Sequence, residues 1–392
     1  MEILAFADYY LPGYKFGGPI RTIANTVSQL GQDYRFKIVT RDRDFGDAEP
    51  YPDISVGSWN ALGDAEVFYA SGPDLSLPSL RKLIQSTRYD VLYCNSFLSP
   101  NFTIKPLLLR RLKLIPQTPM VVAPRGELSF GALAIKSAKK RAYIAAAKAM
   151  RLYESVTWQA SSSYEENDIR RRFGDQANVV IAPDLPGRVN AEDEEIPHSD
   201  KTAGRLKAVF LSRICRMKNL RGALLMLKDL VGEVEFNVCG PLEDSNYWSE
   251  CQEVISELPP NIWVRYCGIV APDRIGQTIR GNDLFFLPTL GENFGHAIVE
   301  ALVAGRPVLV SDRTPWRNLE ERGVGWDISL DQPERFQAAL RKCLAMDAAE
   351  HRKWSQRAQR YGLELTRDET AVEKNRLLFD QSLCRDATKA TV

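Results

Sequence analysis

The chain has 392 residues, 44% of them hydrophobic and 26% charged, which suits two soluble domains, each with its own core. The 51 Lys and Arg nearly balance the 50 Asp and Glu, so overall charge excludes neither nucleic acid nor an acidic ligand. Seven scattered cysteines without C-x-x-C spacing argue against a disulfide framework or zinc site, and the absence of a long apolar run argues against an export signal or membrane span, so a cytoplasmic protein is expected.

In chain order, β-rich runs at EILAFA, FKIVT, DVLYCN, MVVAPR, VTWQAS and NVVIAP alternate with helical patterns such as PIRTIANTVSQLG, LPSLRKLIQSTR and ALAIKSAKKRAYIAAAKAM. The segment PDLPGRVNAEDEEIPHSDKTAG, rich in Pro, Gly and acids, lacks apolar periodicity and reads as a linker, with a boundary near residue 187. The alternation restarts with LKAVFLS, VEFNVCG, IWVRYCG, DLFFLPT and RPVLVSD, and a charged helical tail follows from about residue 345. Such alternation predicts an α/β protein with parallel, doubly wound sheets covered by helices on both faces. The expected division is 1–187, a linker over 188–203, 204–365, and a C-terminal helix and tail over 366–392 packing back on the first domain. Sheets of this kind bind ligands at the carboxyl ends of their strands, here across a cleft between two domains.

Three stretches carry candidate chemistry. In GENFGHAIVEALVAG a single carboxylate, Glu300, sits in a helix whose other residues are apolar, and it reads as a buried acid in need of a partner. Glu292 lies on the preceding loop, Gly291 and Gly295 permit tight turns, and the helix start offers unpaired N–H groups to an anion. In VFLSRICRMKNLRGALLML, Arg213 and Lys218 bracket a loop between strand and helix, where two cations can neutralise a diphosphate or simply form a solvated basic turn. In LPGYKFGGPIRTI, Gly17 and Gly18 let the backbone approach a sugar or phosphate, although paired glycines more often mark a turn, and no G-x-G-x-x-G fingerprint is present.

Taken together, GENFGHAIVEALVAGRPVLVSD, SRICRMKN and FGGPIRTIANTVSQL resemble the E-x7-E signature, the Arg…Lys clamp and the N-terminal glycine loop of the GT4-type glycosyltransferases. These are retaining enzymes with the GT-B fold, in which two Rossmann-like domains face each other across a cleft. The resemblance implies that Glu300 bonds the donor ribose and that Glu292 contacts the transferred sugar, with the backbone of Asn293, Phe294 and Gly295 near sugar and diphosphate. It also implies that Arg213 and Lys218 stabilise the departing diphosphate while Gly17 and Gly18 line the site from the first domain. The implied donor is a nucleotide diphosphate sugar, the implied acceptor a growing surface glycan or lipid-linked sugar, and neither cofactor nor metal is expected. A GT-B-like epimerase or phosphorylase, or a non-catalytic sugar-nucleotide-binding subunit, is the alternative.

Departures from the family pattern matter too. Arg125-Gly126 stands where relatives commonly carry His-Gly, and Asn95 stands near another frequent histidine, so Arg125 and Asn95 are candidate sugar or acceptor contacts. His296, at the start of the helix, is a candidate for a capping or supporting role. Asp42-x-Asp44 superficially resembles a metal–nucleotide D-x-D, but its flanking arginines suit a solvated turn. Between Lys105 and Arg151 eleven cations, Lys136, Lys139 and Lys140 among them, face one acid, Glu127. Their interleaving with apolar residues suits contact with anionic membrane or a lipid-linked acceptor, the alternative being a merely solvated basic face; nucleic acid is not expected, since no recognition module is evident.

Overall fold

The computed structural model describes residues 1–134, 137–189 and 200–389, so Lys136 and most of the expected linker, with its His198, lie outside the described residues. The chain forms two compact units: Met1–Leu185 together with the C-terminal stretch from Glu369, and Pro186–Asp368.

The first unit is built on strands β1 (Glu2–Phe6), β2 (Arg35–Arg41), β3 (Trp59–Leu62), β4 (Ala65–Ala70), β5 (Val91–Cys94), β6 (Met120–Val122), β7 (Thr157–Ala160) and β8 (Val179–Ile181). They lie in the order β3-β4-β2-β1-β5-β6-β7-β8, parallel except for β3. Central strands such as β1 and β5 are buried on both faces, which is why they read as unbroken apolar runs. Helices α1 (Gly18–Leu30), α2 (Leu77–Ser86), α3 (Lys105–Arg111), α4 (Phe130–Ala134), α5 (Ser137–Ala149) and α6 (Ser163–Phe173) belong to this unit. In α1 the residues Ile20, Ile23, Val27 and Leu30 recur at helical spacing and are buried against the sheet.

The second unit carries β9 (Arg205–Leu211), β10 (Glu233–Cys239), β11 (Ile262–Gly268), β12 (Leu284–Leu287), β13 (Val308–Ser311) and β14 (Gly325–Ile328), all parallel, in the order β11-β10-β9-β12-β13-β14. Its helices are α7 (Leu220–Leu227), α8 (Ser245–Ser256), α9 (Ile275–Arg280), α10 (His296–Val303), α11 (Leu319–Arg322), α12 (Pro333–Ala345) and α13 (Ala348–Thr366). The last helix, α14 (Glu369–Lys389), returns to the first unit, where Phe379 packs on Tyr34 and Tyr93 at ring separations of 5.5 and 5.3 Å. The Asn375 amide donates to the Pro183 carbonyl at 2.8 Å and fixes its seat.

Both sheets are doubly wound, and in each the direction of winding reverses between neighbouring strands: β1 and β5 in the first, β9 and β12 in the second. At such a switch point adjacent loops leave in opposite directions and open a crevice at the carboxyl ends of the strands.

Two features depart from the sequence reading. The hairpin of β3 and β4 was not expected, because β3 is an edge strand with no buried residue and so no apolar run. Strand β14 was hidden between glycines. Gly325 has φ 158°, and a Cβ there would meet the Val308 carbonyl, so the residue that looks like a turn is what lets β14 approach β13.

Candidate active site

At the switch point of the second sheet, the loops after β9, β12 and β13 are tied to one another by their backbones. Leu290 N and the Thr289 hydroxyl both donate to the Met217 carbonyl, at 2.8 and 3.0 Å. Glu292 N donates to the Arg313 carbonyl at 2.9 Å, and the Ser311 hydroxyl to the Thr289 carbonyl at 2.5 Å. Asn219, in the left-handed region at φ 58°, sends its side-chain amide to the Pro288 carbonyl at 2.8 Å. The side chains these loops carry are thus placed by bonds to main-chain carbonyls at sequence separations such as 69 residues for Asn219 and Pro288 and 72 for Thr289 and Met217.

The frame brings Lys218 and Glu292 together. Lys218 Nζ lies 2.5 Å from Glu292 Oε1, and the two side chains are only 12% and 11% exposed. Shielding from water strengthens their attraction and makes either charge costly without the other. Arg213 opens the same loop, and its guanidinium pairs at 2.6 Å with Glu243, on the loop after β10. Gly240 makes this approach feasible: at φ 135° a Cβ would collide with the Ser212 carbonyl. The thiol of Cys215, between the two cations in sequence, is pushed up by burial and further by the Glu243 carboxylate, so it stays protonated at neutral pH.

Glu300 is half-buried, not buried as the sequence suggested. Helix α10 buries Ile298, Val299, Ala301, Leu302 and Val303, but the strip holding Ala297 and Glu300, three residues apart, stays partly open. The helix is preceded by Gly295 at φ 81°, where a Cβ would crowd Ile298. Gly295, not His296, is the N-cap; His296 is buried, its ring 4.8 Å from that of Phe294. Asn293 and Phe294 lie on the loop between Glu292 and the cap, and the Phe294 carbonyl accepts the Trp316 indole N–H at 2.6 Å. Trp316 and Glu243 were missed by the sequence reading. Trp316 follows Thr314-Pro315 in a loop read only as far as Asp312, and Glu243 is one of two acids just past the Gly240 strand end.

In the first unit, Gly17 is the N-cap of α1 at φ 72°, with open space where a Cβ would project, and Gly18 begins the helix. The loop before it is held by Asp44, which accepts from the amides of Tyr14, Lys15 and Phe45 at 2.8, 3.1 and 2.7 Å. Asp42 pairs with Arg43 at 2.8 Å. Both aspartates are buried, so the D-x-D is not the solvated turn expected but a brace for the glycine loop. Arg125, a candidate sugar or acceptor contact, is turned inward. Its side chain is 10% exposed and bonds Asp184, the Tyr93 hydroxyl and, at 2.7 Å, Asn95 Oδ1. A buried guanidinium requires a carboxylate, and Asp184 supplies it. Arg125 and Asn95 therefore form a frame beneath the sheet end.

On α3, α5 and their flanks Arg111, Lys113, Lys139, Arg141, Lys148 and Arg151 are exposed, as are Leu112, Met150 and, at 85%, Phe130. Arg111 Nε donates to the Met150 carbonyl at 3.0 Å and links the ends of the two helices. Glu127 is turned inward to accept from Phe97 N and Leu98 N at 2.7 and 2.8 Å, while the exposed Glu154 lies 3.8 Å from Arg151 at the edge of the patch.

Two doubly wound units, each with a switch point in its sheet, make the GT-B fold. The family described as glycosyl transferases group 1 matches residues 191–361, a stretch that falls within the second unit, and this half of the chain is similar to that family. A 2-deoxystreptamine N-acetyl-D-glucosaminyltransferase from Niallia circulans is 28% identical over 109 residues, so the match spans 27% of this chain and 27% of that relative. HepE from Anabaena, solved with UDP and glucose, superposes with a TM-score of 0.68 at 16% identity, over 97% of this chain and 99% of its own. WaaG, a glycosyltransferase involved in lipopolysaccharide biosynthesis, gives 0.63 at 16% identity over 93% and 96%. At these identities the two solved structures share the fold.

Proposed function

We propose that the protein transfers a sugar, with retention of configuration, from a nucleotide diphosphate sugar to a glycan or lipid-linked glycan, in the assembly of a bacterial surface polysaccharide. The observation that carries this reading is the Lys218–Glu292 pair, held at a switch point by main-chain bonds, with Arg213 on the same loop. The Lys218 ammonium already holds an anionic oxygen at 2.5 Å, as it would hold a phosphate oxygen of the donor. As the bond from the sugar C1 to the β-phosphate breaks, negative charge grows on that phosphate, and preorganised cations stabilise it. The acceptor oxygen bonds to C1 from the same face, and its proton passes to the leaving phosphate. Glu292, bound by an ammonium, is a poor covalent nucleophile and is assigned to orienting Lys218 and the sugar hydroxyls. Glu300, on the open strip of α10, takes the ribose hydroxyls, and the backbone of Asn293, Phe294 and Gly295 lies along the diphosphate and sugar. Gly17, where nothing lies within 4 Å of a Cβ position, accepts close approach of ligand in the first unit, together with Gly18 beside it.

Scoring the slow hydrolysis of UDP-, GDP- and ADP-sugars tests this assignment: one of them should be cleaved, and cleavage of none would remove the proposal.

The exposed cations and apolar side chains of α3 and α5 support peripheral docking on anionic lipid at the cytoplasmic face of a membrane, where a lipid-linked acceptor would lie. No helix among the described residues is long and apolar enough to cross a membrane. Reversing two exposed cations, Lys139→Glu with Lys148→Glu, should lower binding to phosphatidylglycerol vesicles at least about tenfold, since each surface cation contributes about 1 kcal/mol. Unaltered co-sedimentation would count against docking through this face.

A further inference from the structure

The outer edge of the second sheet carries a surface that the reaction above leaves unused. Strand β11 ends the sheet and pairs with β10 alone. The 2.9 Å bond from Val234 N to the Asn261 carbonyl sets the phase of that parallel ladder. Alternation then turns the N–H and C=O groups of Val264 and Tyr266 away from β10. Soluble proteins usually blunt such an edge with lysine, proline or a covering element. Here Ile262–Tyr266 reads IWVRY, with one charge, Arg265, and no proline. Trp263 is 52% exposed, Tyr266 is exposed, and Ile269 just past the strand is exposed too. An uncovered strand of this composition is a template for another strand.

We propose that β11 pairs with β11 of a second copy of this chain, antiparallel about a two-fold axis at Val264, so that one sheet runs through both. The side chains select this register. A two-fold at Val264 sets Trp263 opposite Arg265 of the other copy, twice, and Ile262 opposite Tyr266, twice. Indole with guanidinium and aliphatic with aromatic are both favourable cross-strand pairs. One residue further along, a two-fold at Arg265 would oppose two guanidiniums directly, which is destabilising. A two-fold at Tyr266 would fall where the ladder with β10 shifts register, before Gly268.

Charge complementarity extends one strand inward. Glu235 is the register partner of Trp263 on β10, so a row across the axis reads Glu235, Trp263, then Arg265 of the second copy. Carboxylate and guanidinium then belong to strands about 9.6 Å apart, within reach of arginine's long side chain laid over the indole. A contact confined to one strand and its flanks is smaller than a standard stable interface, so the dimer is weak and forms in the micromolar range.

Sedimentation of the full-length chain across that range decides the matter, and its outcome is independent of whether sugar transfer is found. The chain should pass from monomer to dimer with concentration. Val264→Pro removes an N–H that points away from β10, so it leaves the native ladder whole and should raise the dimer Kd at least about tenfold. Trp263→Lys, at an exposed position, should do the same without lowering the melting temperature, and it decides the question if the proline variant folds poorly. A chain that stays monomeric at high micromolar concentration, as it would if this edge served a different partner, overturns the proposal. So does a dimer whose Kd neither variant changes.

Discussion

Lys218→Ala is expected to slow sugar transfer about 100- to 1,000-fold, the cost of removing one preorganised charge from a developing oxyanion. The variant should also lose about 2–4 kcal/mol of stability, because Glu292 would lose its cation partner in a setting only 11% open to water. These two effects can be separated. Adding Glu292→Gln to Lys218→Ala removes the stranded carboxylate, so the melting temperature should recover while the rate of transfer does not. If rate and stability return together, Lys218 holds the loop and takes no part in the chemistry.

Glu300→Ala is expected to weaken binding of the nucleotide about 10- to 100-fold, the loss of hydrogen bonds to a charged acceptor. Stability should change little, since Glu300 lies on the partly open strip of α10 and leaves no cavity in the core. Calorimetric titration of the variant with the donor nucleotide measures this directly. An affinity equal to that of the unaltered chain would end the assignment of Glu300 to the ribose.

The two effects fall on residues that were legible in the sequence for different reasons. Strand, glycine loop and helix from Leu284 to Val303 were plain, because Gly291 and Gly295 punctuate an apolar strand and an apolar helix. Local pattern therefore showed the two-sheet α/β class, and the motifs within it carried the resemblance to the GT4-type family. What it could not show was which charge meets which, since ion pairs such as Lys218–Glu292 and Arg213–Glu243 join residues far apart in sequence. The same gap explains Arg125: its type and place beside Gly126 were visible, but the inward turn depends on Asp184, some sixty residues on. Glu300 was misread as buried because an apolar helix of eight residues can close most of its circumference and still leave one strip open. The D-x-D was misread for a related reason. The amides that fill Asp44 come from a loop thirty residues earlier, and no local spacing signals them.

In the proposed reaction the cations at the second switch point carry glycosyl transfer from a nucleotide sugar without a divalent ion. The direct test is donor hydrolysis in the presence of EDTA, measured on the unaltered chain and on Lys218→Ala with Glu292→Gln. Turnover of one nucleotide sugar in EDTA and its near-complete loss in the double variant are expected. Full inactivation by EDTA that manganese reverses, or undiminished turnover in the double variant, would contradict this reaction.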